Sequence, residues 1–178
     1  SNPHDAKGLL IGAIKDDNPV LYIDDRWLYK FEGEVPREMY TVPIGKAKIL
    51  KKGKDVSIVA TSYMFWEALS AIKELEKKGI DAELIDLRSL KPLDDELLFT
   101  SVKKTGRLVV VDGGWKTGGV AGEISALVCE NIFEYLKAPI GRVTLPDTPA
   151  PASSVLEDVY YPKAKDISKA VKKVIGYR

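Results

Sequence analysis

Apolar positions along this chain change period many times, and those changes mark the elements. Residues 5 to 15 carry Leu9, Leu10 and Ile14 at helical spacing, and Asn18-Pro19 ends that helix. VLYI (Val20–Ile23) then reads as a short buried strand. From Asp24 to Pro43 there is no clear period, and Gly33, Pro36 and Pro43 are scattered through it, as in a linker. KAKIL (Lys46–Leu50) and VSIVA (Val56–Ala60) flank the turn KKGK and predict a β-hairpin. Ser62 is placed to cap a helix whose buried face would hold Phe65, Ala68, Leu69, Ile72 and Leu75. Gly79 would end that helix in a left-handed turn.

The second half repeats the alternation. AELIDL (Ala82–Leu87) predicts a strand, and Asp94 is a cap for a helix carrying Leu97, Leu98 and Val102, stopped at Gly106. RLVVV (Arg107–Val111) predicts the next strand. A glycine loop follows, then a helix with Ile124, Leu127, Val128, Ile132, Tyr135 and Leu136. IGRVT (Ile140–Thr144) is the last strand. A proline-rich stretch, LPDTPAPASS, leads to a final helix with Ile167, Ala170, Val171 and Val174. Strands alternating with helices predict a three-layer α/β/α domain with a mixed, mostly parallel five-stranded sheet.

Composition narrows the function. Net charge is +1 over 178 residues, which gives no electrostatic case for nucleic acid or an acidic membrane. No apolar run approaches the ~20 residues of a membrane span. The start, with Asp5 and Lys7 before a short Leu9–Ile11 run, lacks a signal-peptide pattern. These features predict a cytoplasmic protein, and the abrupt start into helical sequence suggests a piece of a longer one. Cys129, the only cysteine, lies in an apolar helical pattern and reads as a core thiol; it excludes an internal disulfide framework.

The candidate chemistry concentrates in VVVDGGWKTGGVAGEI, residues 109 to 124. Strand, glycine-rich turn and helix start form the grammar of a phosphate cradle. The spacing disagrees with both standard motifs. A Rossmann loop follows the first strand with G-x-G-x-x-G, whereas this one comes late and reads G-G-W-K-T-G-G. In a Walker loop the lysine follows the last glycine; here Lys116 and Thr117 precede Gly118 and Gly119. The glycines serve equally well as a tight turn or an interface loop. Trp115, between glycines at a sheet's carboxyl end, is either an interface anchor or an aromatic lid folded over the local core.

Little else suggests catalysis. His4 is the only histidine and cannot build a triad or a histidine metal site. Asp24-Asp25, Asp94-Asp95 and Glu157-Asp158 read as turns or caps. Asp16 and Asn18 are oxygen ligands beside a turn, suited to a hard cation or simply to turn chemistry. The residues form no self-sufficient catalytic constellation.

Eleven runs in one order and spacing carry a family resemblance: PHDAKGLL, DDNPVLYIDD, LYK, EVP, VPIGKAKIL, GKDVSIVA, DLRSLKPLD, VKKTGRLVVV, GGVAGEI, APIGRVTLPDTPAP and LED, from Pro3 to Asp158. Together they resemble the C-terminal half of the E1 β subunit of the thiamine-diphosphate-dependent 2-oxo acid dehydrogenases, in the transketolase superfamily. The resemblance implies three parts. Residues 1–23 would be the last helix and strand of a pyrimidine-binding domain, 24–44 a linker, and 45–178 a transketolase C-terminal-like domain.

It also implies where the chemistry lies. The glutamate that activates the cofactor would come earlier in the pyrimidine-binding domain, and thiamine diphosphate and magnesium would be held by an α-like subunit. In branched-chain members the segment matching AIKDDN supports a potassium ion. Ala13, Asp16 and Asn18 hold those positions here, with the remaining ligands outside these residues. Asp112-Gly113-Gly114-Trp115 is closer to the Glu-Gly-Gly-Trp of pyruvate-type relatives than to the His-Glu-Ala-Pro of others. The domain would build the contact with a second copy of the chain through Gly113, Gly114 and Trp115. Its carboxyl end, Tyr177-Arg178, would offer a docking surface to the acyltransferase E2 core. The implied role is assembly of a pyruvate dehydrogenase-like E1, with the fragment itself not catalytic. The alternatives are the C-terminal domain of a ketol-transferring transketolase-like or deoxyxylulose-phosphate-synthase-like enzyme, and a stand-alone nucleotide or phosphate module.

Overall fold

The structure is a computed structural model that describes residues 1–177. Helix α1 (Pro3–Lys15) leads into a segment with one short 3-10 turn at Arg26–Lys30. The sheet domain follows as β1 (Lys48–Lys51), β2 (Val56–Ala60), α2 (Met64–Glu76), β3 (Ala82–Asp86), α3 (Asp95–Thr105), β4 (Leu108–Trp115) and α4 (Val120–Ile132). It ends with β5 (Gly141–Leu145), α5 (Ser154–Tyr160) and α6 (Ala164–Ile175). The sheet order is β1-β3-β2-β4-β5, with β1 antiparallel to β3 and the other neighbours parallel. This is the expected mixed, mostly parallel five-stranded sheet between two helical layers.

Period-two alternation sorts the core onto those layers. Val56, Ile58 and Ala60 of β2, with Val109 and Val111 of β4, pack with Phe65, Ile72 and Leu75 of α2 and Ile167 and Val171 of α6. Val59 and Val110 face the other way, onto Leu98 and Val102 of α3 and Ile124 and Val128 of α4. Helix ends follow the sequence signals. Asp94 accepts from the Leu97 amide at the start of α3, and Gly106 ends that helix with a left-handed φ of 71°.

Four sequence expectations fail, each for a physical reason. The hairpin is absent, because β3 lies between β1 and β2. Gly53, buried against the Ala82–Glu83 backbone where no Cβ fits, lets the chain pass beside the start of β3. The amides of Lys54 and Asp55 donate to the Asp81 carbonyl there.

Val20–Ile23 forms no strand. Among the described residues no ladder lies beside it, and Leu21 and Ile23 are largely exposed. Ser62 does not cap α2 through its side chain; its hydroxyl donates to Asp25 instead, at 2.6 Å. Cys129 is exposed on the outer side of α4, away from the buried stripe of Ala121, Ile124, Val128 and Ile132.

The segment between α1 and β1 is extended but firmly placed. Phe31 stacks on Trp66 at 4.2 Å, and Trp27 meets Tyr63 and Tyr161 at 4.9 and 4.6 Å. Helix α5, hidden behind the proline-rich stretch, was not expected from the sequence.

One polar network interrupts the α3 side of the core. Ser57 Oγ lies 2.6 Å from Ser101 Oγ and 2.8 Å from Thr105 Oγ1, and Ser101 donates to the fully buried Glu83 at 2.5 Å. The other Glu83 oxygen accepts from Lys104 and from the Gly53 amide. A buried carboxylate is tolerated only when so paired. Glu83→Ala strands Ser101 and the Gly53 amide, and is expected to cost about 3 kcal/mol in urea unfolding. An unchanged midpoint would show that the network contributes nothing.

Candidate functional site

The glycine loop leaves the carboxyl edge of β4, and its first half is strand. Gly113, Gly114 and Trp115 continue β4, so the turn itself is Lys116–Gly119. Trp115 pairs with Leu145 of β5 after a register shift. Asp112 organises the loop from a buried position. One of its oxygens accepts from the Gly114 amide at 3.0 Å, and the other from the Ala121 amide in the first turn of α4 at 3.3 Å. Gly119 at the N-cap has no side chain to do this. A Cβ there would strike the Trp115 carbonyl and stand 3.2 Å from Asp112. These contacts explain the second glycine pair: Gly118 takes a φ of 72°, and Gly119 allows the close approach.

Two further polar side chains brace the turn. Thr117 gives its amide and hydroxyl to Asp147, at 2.9 and 2.8 Å. The backbone bond from Thr117, then its hydroxyl, holds the Asp147 carboxyl below its usual range. Arg142 donates to the Lys116 carbonyl at 3.3 Å. Lys116, Thr117, Gly118, Gly119, Arg142 and Asp147 line an open depression. Asp112 and Asp147 thus hold the Ala121 and Thr117 amides, two of the donors for which a bound phosphate would compete.

Trp115 stands between its two predicted roles. It is 55% exposed, which fits a contact residue, yet its indole donates to Tyr160 at 3.1 Å, and Tyr160 donates on to the Thr148 carbonyl at 2.7 Å. This hydrogen bond ties β4 to α5. Val155, Leu156 and Val159 of α5 are 74%, 56% and 80% exposed. Together with the exposed tryptophan, these three side chains form an apolar patch on the surface. The sequence signal for it was the spacing of Val155 and Val159 after Ser153-Ser154, masked by the neighbouring prolines.

The other predicted site residues lie apart from this edge. Ala13 is in the last turn of α1, and Asp16 and Asn18 follow it on the surface. Asp16 Oδ1 accepts from the Asn18 amide at 2.9 Å and from its side-chain nitrogen at 3.0 Å, and these bonds lower the Asp16 pKa. Among the described residues no group of three or more His, Cys, Asp or Glu side chains could hold a metal ion. Tyr177 is exposed just beyond α6, whereas Arg178 lies outside the described residues. Among the described residues no helix is long and apolar enough to cross a membrane.

The family model for the transketolase C-terminal domain matches residues 45–167. The chain belongs to that family. Its relatives include the acetoin:2,6-dichlorophenolindophenol oxidoreductase subunit beta of Bacillus subtilis, 45% identical over 176 residues, covering 99% of this chain and 52% of the relative. The pyruvate dehydrogenase E1 component subunit beta of the same organism is 43% identical over 178 residues, covering 99% and 54%. Among solved structures, a split gene transketolase in an inactive beta4 tetramer superposes with a TM-score of 0.69 at 34% identity, over 76% of this chain and 44% of that one. The chain spans about half the length of the curated relatives it matches.

As a family member it keeps the sheet and both helical layers, and the glycine loop belongs to that frame. The loop's dependence on Asp112 is testable. Asp112→Ala frees the Gly114 and Ala121 amides and is expected to cost about 1–2 kcal/mol of unfolding free energy, the range of a lost helix cap. The same loss should raise exchange at the Ala121 amide; an unmoved amide would contradict the cap.

Proposed function

We propose that this chain is the assembly half of a thiamine-diphosphate-dependent E1 β-like subunit. The parent enzyme decarboxylates a 2-oxo acid and passes the acyl group to a lipoyl group on E2. One observation carries the reading: similarity to E1 β-type subunits extends over 99% of the chain. In this division, residues 1–23 end a pyrimidine-binding domain, 24–44 connect, and 45–178 form the assembly domain.

Among the described residues, Asp112 and Asp147 occupy the Ala121 and Thr117 amides of the glycine-rich loop, which supports placing thiamine diphosphate and magnesium elsewhere. In this reading both belong to other parts of the enzyme, and the cofactor supplies the hard chemistry there. The Ala13 carbonyl, Asp16 and Asn18 form part of a structural potassium site completed by the preceding domain. The protein works in the cytoplasm.

A second substrate reading has a specific basis. Acetoin oxidoreductase β subunits are 45% and 48% identical to this chain, against 42–44% for the pyruvate dehydrogenase β subunits compared. Acetoin is therefore the alternative to pyruvate, ahead of ketol transfer. Full-length β subunit assembled with its α-like partner and thiamine diphosphate decides between them. Turnover with pyruvate or acetoin, lost without the α-like partner and lowered when sodium replaces potassium, is the expected result. Ketol transfer without 2-oxo acid or acetoin oxidation would overturn the assignment, and indifference to potassium would remove the ion site.

The partners follow from the exposed edge. Gly113, Gly114, Trp115 and the apolar side of α5 meet a second copy of the chain, while the carboxyl end, Tyr177-Arg178, is the docking segment for the E2 core. Val159→Glu places a charge in the chain–chain contact and should shift the full-length subunit toward smaller species in sedimentation velocity, with its circular dichroism unchanged. An unaltered distribution would remove α5 from the interface.

A further inference from the structure

Among the described residues, two that are not glycine adopt left-handed backbone: Ser62 at φ 51° and Arg88 at φ 56°. They occupy equivalent places, just beyond the carboxyl ends of the adjacent parallel strands β2 and β3. Neither residue has the side chain that favours such a backbone, so surrounding contacts must hold it. Both side chains turn toward the first 47 residues. Ser62 donates to Asp25, as described.

Arg88 makes three connections at once. Its Nη1 donates to Asp5 in α1 at 3.5 Å, Nε to the Lys46 carbonyl at 3.1 Å, and Nη2 to the Ala47 carbonyl at 3.3 Å. The Arg88 side chain is 10% exposed and that of Asp5 only 2%. Helix α1, the end of the connecting segment and the sheet edge therefore meet on one planar guanidinium.

Asp5 is built to receive it. Asn2 donates to its second oxygen at 2.9 Å, and His4 lies 3.2 Å from the first. Burial alone would raise the Asp5 pKa. The bonds from Asn2 and His4, with the charges of Arg88 and Lys48, outweigh it and lower the pKa below its usual value.

The connecting segment grips α1 from the other side. Gly8 packs so closely on Val42 that a Cβ would stand 2.5 Å from its methyl, and the Val42 amide donates to the Gly8 carbonyl at 3.0 Å. Lys7 donates to the carbonyls of Pro36, Arg37 and Glu38, and Tyr40 to that of His4. Helix α1 reaches the sheet edge through Arg88, while the Trp66 indole on the Ser1 carbonyl and the Ser62–Asp25 bond hold its flanks.

We infer that Arg88 is a positioning residue that fixes α1 to the carboxyl edge of the sheet through Asp5 and the Lys46–Ala47 carbonyls. Taken with the domain division under Proposed function, on which this extension rests, it sets the register between the pyrimidine-binding half of the subunit and the assembly half. An interaction that supports only the fold would protect the whole domain when present. A positioning clamp protects the piece it holds.

Hydrogen exchange on the chain itself separates the two. Arg88→Ala should speed exchange at α1 and at residues 40–44 by about tenfold, the factor a charge-assisted hydrogen bond supplies, while β2, β4 and α2 stay protected. Asp5→Asn should do the same, and the double variant no more than either alone. Arg88→Lys keeps the charge but not the fork, and should restore protection only in part.

Arg88→Gly relieves the backbone and removes only the guanidinium, so it serves if the alanine variant does not fold. Uniform acceleration along the chain, or α1 left protected, would overturn the clamp. In the assembled enzyme, Arg88→Gly should lower kcat with KM little changed. Loss of α1 protection with kcat intact would keep the clamp and overturn the registration role.

Discussion

The two-sided burial of β2 and β4 is the constraint on which the rest of the structure depends. A parallel strand covered by helices on both faces has no solvent side, so its residues must be apolar or fully paired. Val56, Ile58, Val59 and Ala60 meet that demand with hydrocarbon; Ser57 meets it through Ser101 and Thr105. Once these strands are fixed, their carboxyl ends lie side by side, and everything that distinguishes this chain is arranged along that edge. The loop after β2 holds Ser62, the loop after β3 holds Arg88, and the extension of β4 holds Asp112 and Trp115.

Where burial is periodic, the sequence was enough. The stripe from Phe65 to Leu75, the caps at Asp94 and Gly106, and the continuous apolar run of β4 each report a local contest that the local residues decide. Cys129 fails by its own helix's phase, and the other three failures come from partners distant in sequence. Whether Lys46–Leu50 pairs with β2 or β3 depends on the space above Ala82–Glu83, which Gly53 alone can enter. Val20–Ile23 has the composition of a strand, but a strand exists only by its neighbour. Ser62 has the residue type of a cap, and a carboxylate 37 positions away claims it.

The candidate site was legible in the same uneven way. The glycines and Trp115 stood out, and their spacing already argued against a nucleotide motif. The reason they are there did not show, because it lies in bonds from Asp112 to Ala121 and from Thr117 to Asp147. Arg88 gave no signal at all. Nothing in DLRSLKPLD announces that its arginine takes a left-handed backbone or reaches back across 83 residues to Asp5.

Asp112 has a consequence for how such a domain keeps its independence in a cell. Glycine-rich turns before helices attract anions by their nature, and cells are full of nucleotides and phosphates. A carboxylate tethered nine residues from its target amide competes with any free anion for that donor, and it never diffuses away. At the Ala121 amide the chain therefore supplies its own anion, and a visitor would have to displace a neighbour that is always present.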